Sequence, residues 1–357
     1  MSDRIKIGII GCGGIAETKH LPALLDSGMA EIAILCDRNV QRAEELKQKF
    51  GLTKAKITDS TEEVLRSDVQ AVHICTANNT HGSLSIAAMQ AGKDVLCEKP
   101  MATDADTAEE MYKVSRETGR KLWISYQFRF TDENLMLKRI CESGDLGNLY
   151  YTRAVTIRRR GVPVWGSYLN PEIQRGGTLI DGGTHTLDLA LWLTQNYEVD
   201  YVMGGTFSSI ISQECQWNKW GDWGTVPKGI EDLAVAFIKM KNGAIMTLES
   251  AWAVNMAQSG TSKLVICGDR AGVDNCEGIR CNGIKYGMPY VQTFSPSDPH
   301  LPEREKKKTP AQREMSCWLD CLINHTQPII RPEQTLVVSR IIQAIYESQK
   351  MNQPVYF

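Results

Sequence analysis

Residues 4–38 read RIKIGIIGCGGIAETKHLPALLDSGMAEIAILCDR. The apolar run Ile5–Ile10 is too short to span a bilayer and rich in β-branched residues, so it reads as a buried strand. Gly11-Cys12-Gly13-Gly14-Ile15-Ala16 follows, a G-x-G-x-x-G/A turn directly before a helix pattern. A second apolar run, Ile32–Leu35, ends in Cys36-Asp37, with Asp37 about 20 residues past the turn, where a ribose-binding acid belongs. Gly11 permits the tight turn, Gly13 lets backbone approach a pyrophosphate, and Ala16 is small enough for helix and strand to pack closely. The helix aims its unpaired N–H groups, among them those of Gly14 and Ile15, at phosphates. Strand, turn, helix and acid agree on a dinucleotide-binding unit in which Asp37 takes the adenosine ribose and Arg38 lies beside it. An anion at that position favours NAD over NADP, although Arg38 could clamp a 2′-phosphate.

Beyond this unit the alternation continues. Between Asp37 and about Ile57 a charged helix ends at Gly51, its C-cap, then come a strand Ala71–Cys75, a helix ending at Gly92, a strand Asp94–Cys97, a helix Asp104–Thr118 and a strand Lys121–Ile124. Alternating strands and helices with short connections predict a parallel, doubly wound sheet, which binds ligands at its carboxyl edge. There lie Thr76-Ala77-Asn78-Asn79-Thr80-His81, Glu98-Lys99-Pro100 and Tyr126-Gln127-Phe128-Arg129-Phe130. Past Ile124 the strands become long and successive (149–159, 199–209, 233–240, 245–254, 263–267), with one helix over 177–193 and two closing helices, 310–324 and 332–351. This order predicts an α+β domain on a large, mostly antiparallel sheet. The expected domains are 1–124 and 125–357.

The 357 residues carry a net charge of −2, so nothing marks a nucleic-acid or anionic-membrane partner. No apolar run approaches a bilayer span, and the first strand leaves no room for a signal peptide. Eleven cysteines without paired C-x-x-C spacing fit buried, reduced thiols in the cytoplasm and no metal site. The run Arg304–Lys308 reads as a solvated loop.

Taken together, GCGGIA with Asp37, TANNTH, AGKDVLCEKP, YQFRF and GGTLIDGGTHTLDLALW resemble the glucose–fructose oxidoreductase/inositol dehydrogenase/MocA family of nicotinamide-dependent oxidoreductases, in order and over essentially the whole chain. The resemblance implies catalytic roles for Lys99 and His185 with Asp181 beside them, a cis Lys99–Pro100 bond, a sugar or polyol substrate, and a homodimer or homotetramer formed through the second sheet. Asp181, His185 and Asp188 share one helix face by spacing. His185 is the natural general base and the Lys99 ammonium would stabilise a developing alkoxide; the residues leave open which takes the proton. A core or capping role is the alternative for each acid.

Thr76, Asn78, His81 and Gln127 are cofactor-cleft candidates, with helix capping the other use of His81. Glu98 would bind the nicotinamide ribose or pair with a neighbouring cation; Arg129 would brace the domain junction. The glycines around Asp181 (176, 177, 182, 183) suggest a close neighbour, such as cofactor or substrate. Arg158, Trp165 and Tyr168 are substrate-side candidates. Trp217, Trp220 and Trp223 would form a sugar-binding lip, a subunit contact or ordinary packing. The expected activity is NAD(H)-dependent oxidation or reduction of a sugar, polyol or glycoside. The rivals are an NAD-recycling enzyme that cleaves glycosides through transient C3 oxidation, and a non-enzymatic cofactor-sensing regulator.

Overall fold

The computed structural model describes residues 4–257, 259–296 and 306–357. Two compact units divide the chain: Met1–Phe130 with Lys307–Leu336, and Thr131–Lys306 with Val337–Phe357. The sequence reading places its boundary at 124/125 and gives all later residues to one domain. Here the chain returns to the first unit for 30 residues, because an apolar helix there buries Trp318, Met315 and Leu319.

Among the described residues, β1 (Ile5–Ile10), β2 (Ala30–Cys36), β3 (Lys56–Thr58), β4 (Ala71–Ile74), β5 (Asp94–Glu98) and β6 (Leu122–Ser125) form a parallel sheet ordered β3-β2-β1-β4-β5-β6. Central β1 and β4 are almost wholly buried, as helix-covered parallel strands must be. The order reverses between β1 and β4, the switch point where such sheets take ligands. The charged helix expected to end at Gly51 is α2 (Val40–Lys49), capped by Asn39, which accepts the Gln41 N–H. After it come β3 and α3 (Thr61–Arg66), neither read from sequence. Three residues with an exposed lysine carry no period-2 signal; pairing with β2 makes them a strand. α4 (His81–Gln90) and α5 (Ala105–Thr118) follow, the latter capped by Asp104 accepting the Thr107 N–H at 2.8 Å.

The second unit begins with α6 (Asp132–Glu142) and is built on β7 (Leu149–Ile157), β8 (Val199–Phe207), β9 (Leu233–Met240), β10 (Ile245–Ala251), β11 (Gly260–Gly268), β12 (Ala271–Asp274), β13 (Ile279–Lys285), β14 (Met288–Phe294) and β15 (Val355–Tyr356). Their order is β14-β13-β12-β11-β7-β10-β9-β8-β15, antiparallel except where β7 meets β10. Strands β12 to β15 escaped the sequence reading. β14 is mostly exposed and β15 has two residues, so neither shows a buried face. α7 (Pro171–Gln174) precedes α8 (Thr184–Thr194), which is continuous with a wide, π-type turn over Leu179–Gly183.

The closing helices are α9 (Pro310–Ile323), opened by a Thr309/Gln312 capping box, and α10 (Pro332–Met351). Arg304 and Glu305 of the charge run lie outside the described residues. Among the described residues no helix is long and apolar enough to cross a membrane, and no cluster of His, Cys, Asp or Glu could hold a metal.

Candidate active site

The glycine turn leaves β1 at the switch point. Gly11 has φ +94°, and a Cβ there would lie 2.7 Å from the backbone carbon of Cys75, so the crossing of the two loops admits only glycine. Added Cβ atoms on Gly13 and Gly14 would meet nothing within 4 Å, which leaves the space a pyrophosphate needs. Ala16 is buried beneath this space and Ile15 borders it, 37% exposed. Asp37 closes the turn: Oδ2 accepts the Cys12 N–H at 2.8 Å and Oδ1 the Asn39 N–H at 2.8 Å. These bonds orient the carboxylate while leaving further lone pairs for ribose hydroxyls. Arg38 is exposed beside it. The turn therefore fits a dinucleotide at each tested point.

The other cofactor candidates of this unit divide. Thr76, Asn78 and Gln127 are half-buried in loops after β4 and β6, Thr76 accepting the Thr80 hydroxyl at 2.7 Å. His81 is buried as the first residue of α4, not its cap. Its Nδ1 lies 2.8 Å from the Pro100 carbonyl and Nε2 3.2 Å from that of Thr76, so the ring braces one loop against the other. Burial pushes its pKa below the ordinary range, against the pull of those carbonyls. Lys99 is half-buried, the Lys99–Pro100 bond is cis, and the Lys99 N–H donates to Glu98 Oε2 at 3.2 Å. Arg129 is buried and donates to Gln334 at 3.0 Å, both within the first unit.

Glu98 takes the second role open to it, pairing with a cation. Its Oε1 accepts from Lys19 Nζ at 2.8 Å and lies 2.9 Å from His20 Nε2. Lys19 also meets Glu314 of α9 at 3.2 Å and donates to Ser125, whose hydroxyl donates to Glu314 at 2.9 Å. The Trp318 indole donates to His73 Nε2 at 3.1 Å. An indole only donates, so neutral His73 carries its proton on Nδ1 and gives it to His20 Nδ1 at 2.9 Å. That leaves the His20 Nε2–H for Glu98. Burial would raise Glu98, but the Lys19 charge and the His20 bond outweigh it and hold the carboxyl well below its usual range. Burial, then the neighbouring His20 and Lys19, push His73 well down. Sequence reading missed this network; its one local signal was Lys19-His20 on the inner side of the helix after the turn, where a wide π-type turn (Ala16–His20) buries both.

In the second unit the substrate-side candidates close into a ring of contacts. Asp181 Oδ2 accepts from Arg158 Nη1 at 3.2 Å and from the Trp252 indole at 3.0 Å. Tyr168 lies edge-on to Trp252 (6.2 Å between centroids) and to Trp165 (5.9 Å), and Trp165 edge-on to Trp220 (5.0 Å). The Arg158 guanidinium returns to Trp220 at 5.4 Å. Arg158, Trp165, Tyr168 and Asp181 thus converge, with Trp252 and Trp220 completing the circle. His185, on the first turn of α8, and Asp188, on its second, are both buried.

The three loop tryptophans separate. Trp223 is 5% exposed within a core of Val162, Ile211, Ile230 and Trp252, Trp220 joins the ring, and Trp217 stands 65% exposed. Asn218 pins the loop, bonding both the N–H and the carbonyl of Val162, at 2.9 and 3.0 Å.

Gly176 and Gly177, before α8, have the protein itself as their close neighbour. A Cβ on Gly177 would lie 2.0 Å from the Glu231 carbonyl oxygen, and one on Gly176 2.2 Å from the Tyr346 hydroxyl. Glu231 accepts the N–H groups of Gly177 and Leu179 at 2.7 and 2.8 Å and the Tyr346 hydroxyl at 3.1 Å, so a buried carboxylate fixes the helix start. Burial, against those three bonds, raises its pKa to about 7. Between the unfolded value near 4.5 and 7 the folded state binds the extra proton, so stability falls as pH rises through that window. Against Glu231→Gln, which does not titrate, wild type should therefore lose about 3 kcal/mol of its stability lead from pH 4.5 to 8. Denaturant melts across pH check this; a constant difference would refute it.

Comparison with known proteins agrees with this architecture. Residues 5–126 match the model described as "Oxidoreductase family, NAD-binding Rossmann fold" and residues 134–274 that of the GFO/IDH/MocA C-terminal domain. The chain is 29% identical to the D-glucoside 3-dehydrogenase of Escherichia coli (strain K12), over 97% of this chain and 96% of that one. It is 28% identical to the myo-inositol 2-dehydrogenase of Thermotoga maritima, over 69% and 68%. A levoglucosan dehydrogenase solved with NADH superposes with a TM-score of 0.84 at 19% identity, over 99% of both chains.

Proposed function

The chain belongs to the GFO/IDH/MocA family of NAD-binding oxidoreductases, and from that membership we propose that it transfers a hydride between NAD(H) and a secondary carbinol of a sugar, polyol or glycoside. The observation that carries the substrate class is the ring around Asp181: a carboxylate and a guanidinium for hydroxyl groups, bordered by indoles for the C–H faces of a sugar. The relatives from E. coli and T. maritima, a glucoside and an inositol dehydrogenase by name, support it. The test is an NAD-reduction screen over inositols, hexoses, glycosides and sugar acids. Net NADH formation supports the reading; turnover without it points to cofactor recycling, and binding without turnover to a regulator.

Bound nicotinamide supplies the hydride acceptor. Gly11, Gly13, Gly14, Ile15, Ala16 and Asp37 would hold the dinucleotide's phosphates and adenosine ribose, and Thr76, Asn78 and Gln127 would border it. The His185 imidazole and the Lys99 amine are the two candidates for taking the hydroxyl proton. Asp181, anchored by Arg158 and Trp252, orients a substrate hydroxyl or His185. NAD should bind more tightly than NADP because Asp37 stands where a 2′-phosphate would come. Asp37→Ser should narrow the gap in a fluorescence titration of both cofactors; equal or tighter NADP binding by wild type would show the reading of Asp37 to be wrong.

Eleven cysteines, none of them in a disulfide among the described residues, support a reducing, cytoplasmic setting. The open face of the second sheet, where exposed Met203 and Phe237 pair across strands beside Val235, supports a homodimer or homotetramer.

A further inference from the structure

A pocket of about 940 Å³ in the second unit borders the ring just described. Its lining includes Arg158, Arg159, Arg160, Lys219, Trp217 and Trp220. Among the described residues no carboxylate lines it, although Glu214 and Asp222 belong to the same loop. The four cations are not equivalent. Arg158 is neutralised by Asp181 at 3.2 Å. Arg160 is fixed by oxygens that carry no charge: Nη1 donates to the Arg159 and Val254 carbonyls at 2.8 and 2.9 Å, and Nη2 to Asn255 Oδ1 at 2.6 Å. Arg159 and Lys219 are exposed and form no ion pair with any described residue, while the Lys219 ammonium rests 5.5 Å from the Trp220 ring. Arg159, Arg160 and Lys219 thus face one cavity that no described carboxylate lines, the buried Asp232 behind it being the acid that feels the Arg160 charge, and such a wall concentrates anions. Trp217, largely exposed, offers a flat apolar surface in the same lining.

We propose that this pocket seats an anionic sugar, a pyranose ring bearing a carboxylate or a phosphate ester, with the ring against Trp217 and the anionic group on Arg159, Arg160 and Lys219. The inference rests on the reading of the Asp181 ring as the substrate side, and it narrows the substrate class to charged sugars or glycosides. Carboxylate and phosphate share the required chemistry, and guanidinium groups bind either one bidentately.

The test reads tryptophan emission of the full-length protein without NAD, so it does not depend on turnover. The probes are methyl β-D-glucuronide, glucose 6-phosphate and methyl β-D-glucoside. At low salt at least one anionic sugar should bind about tenfold or more tightly than the neutral glucoside, since a charge-assisted hydrogen bond is worth about 1.5–3 kcal/mol. Added NaCl should erode the difference, and the double variant Arg159→Ala/Lys219→Ala should abolish it. Which anion wins identifies the group. Equal binding of all three sugars, no saturable binding, or a preference that survives in a folded double variant would each overturn the proposal. A failed NAD-reduction screen bears instead on the proposed activity, so the two failures are told apart.

Discussion

Lys99→Met is expected to slow single-turnover hydride transfer by about 10²–10⁴-fold, the range for general acid–base groups, while NAD affinity stays within a few-fold. His185→Ala should do the same. Lys99 follows β5 at the carboxyl edge of the first sheet, and its backbone is held by Glu98. His185 lies four residues after Asp181 on a helix whose start is fixed by Glu231 and whose Asp181 is anchored by two donors. The proposal gives each side chain a part in the proton transfer and none in holding the dinucleotide, so the loss should appear in the chemical step. If both serve one proton transfer, the double variant loses less than the product of the single losses. The pH–rate profile divides the roles: loss of the acidic limb in His185→Ala makes the imidazole the base. Near-normal rates in that variant at every pH would make His185 structural and leave the proton to Lys99 or water.

Lys19→Met should lower unfolding free energy by about 3–5 kcal/mol, because removing one partner from a buried ion pair strands the others. Lys19 lies between two buried carboxylates, Glu98 and Glu314, at 2.8 and 3.2 Å. Burial opposes its charge, yet those two carboxylates raise its pKa, so it is the ammonium that is stabilised. Methionine keeps the length of the chain but leaves two anions facing an apolar end. Adding Glu314→Gln should recover part of the loss by removing one of them. Guanidinium melts measure both steps, and a single-variant loss under about 1 kcal/mol, the range of surface pairs, would show the network to be solvated. NAD affinity should weaken too, since Lys19 and His20 belong to the helix that follows the glycine turn.

By itself the sequence determined the two-sheet plan of this protein: the parallel sheet, the glycine turn with Asp37, the loops at the strand ends and the antiparallel second sheet. Each of these is written in short windows, through a strand's apolar run, a glycine the backbone requires, or a cap such as Asp104. Arg158, Trp165, Tyr168 and Asp181 were legible as polar and aromatic residues near one helix, but their closure through Trp252 and Trp220 was not. Tertiary structure alone decided that Glu98 faces Lys19 and His20, that Glu231 fixes the start of the Asp181 helix, and that Trp223 is core while Trp217 is surface. Glu314 reaches Ser125 across 189 residues of chain, and Trp318 reaches His73 across 245. The physical reason is desolvation. A carboxylate in an exposed loop and one in a buried network have the same local sequence grammar, and only the packing of distant segments removes the water and thereby selects the partner.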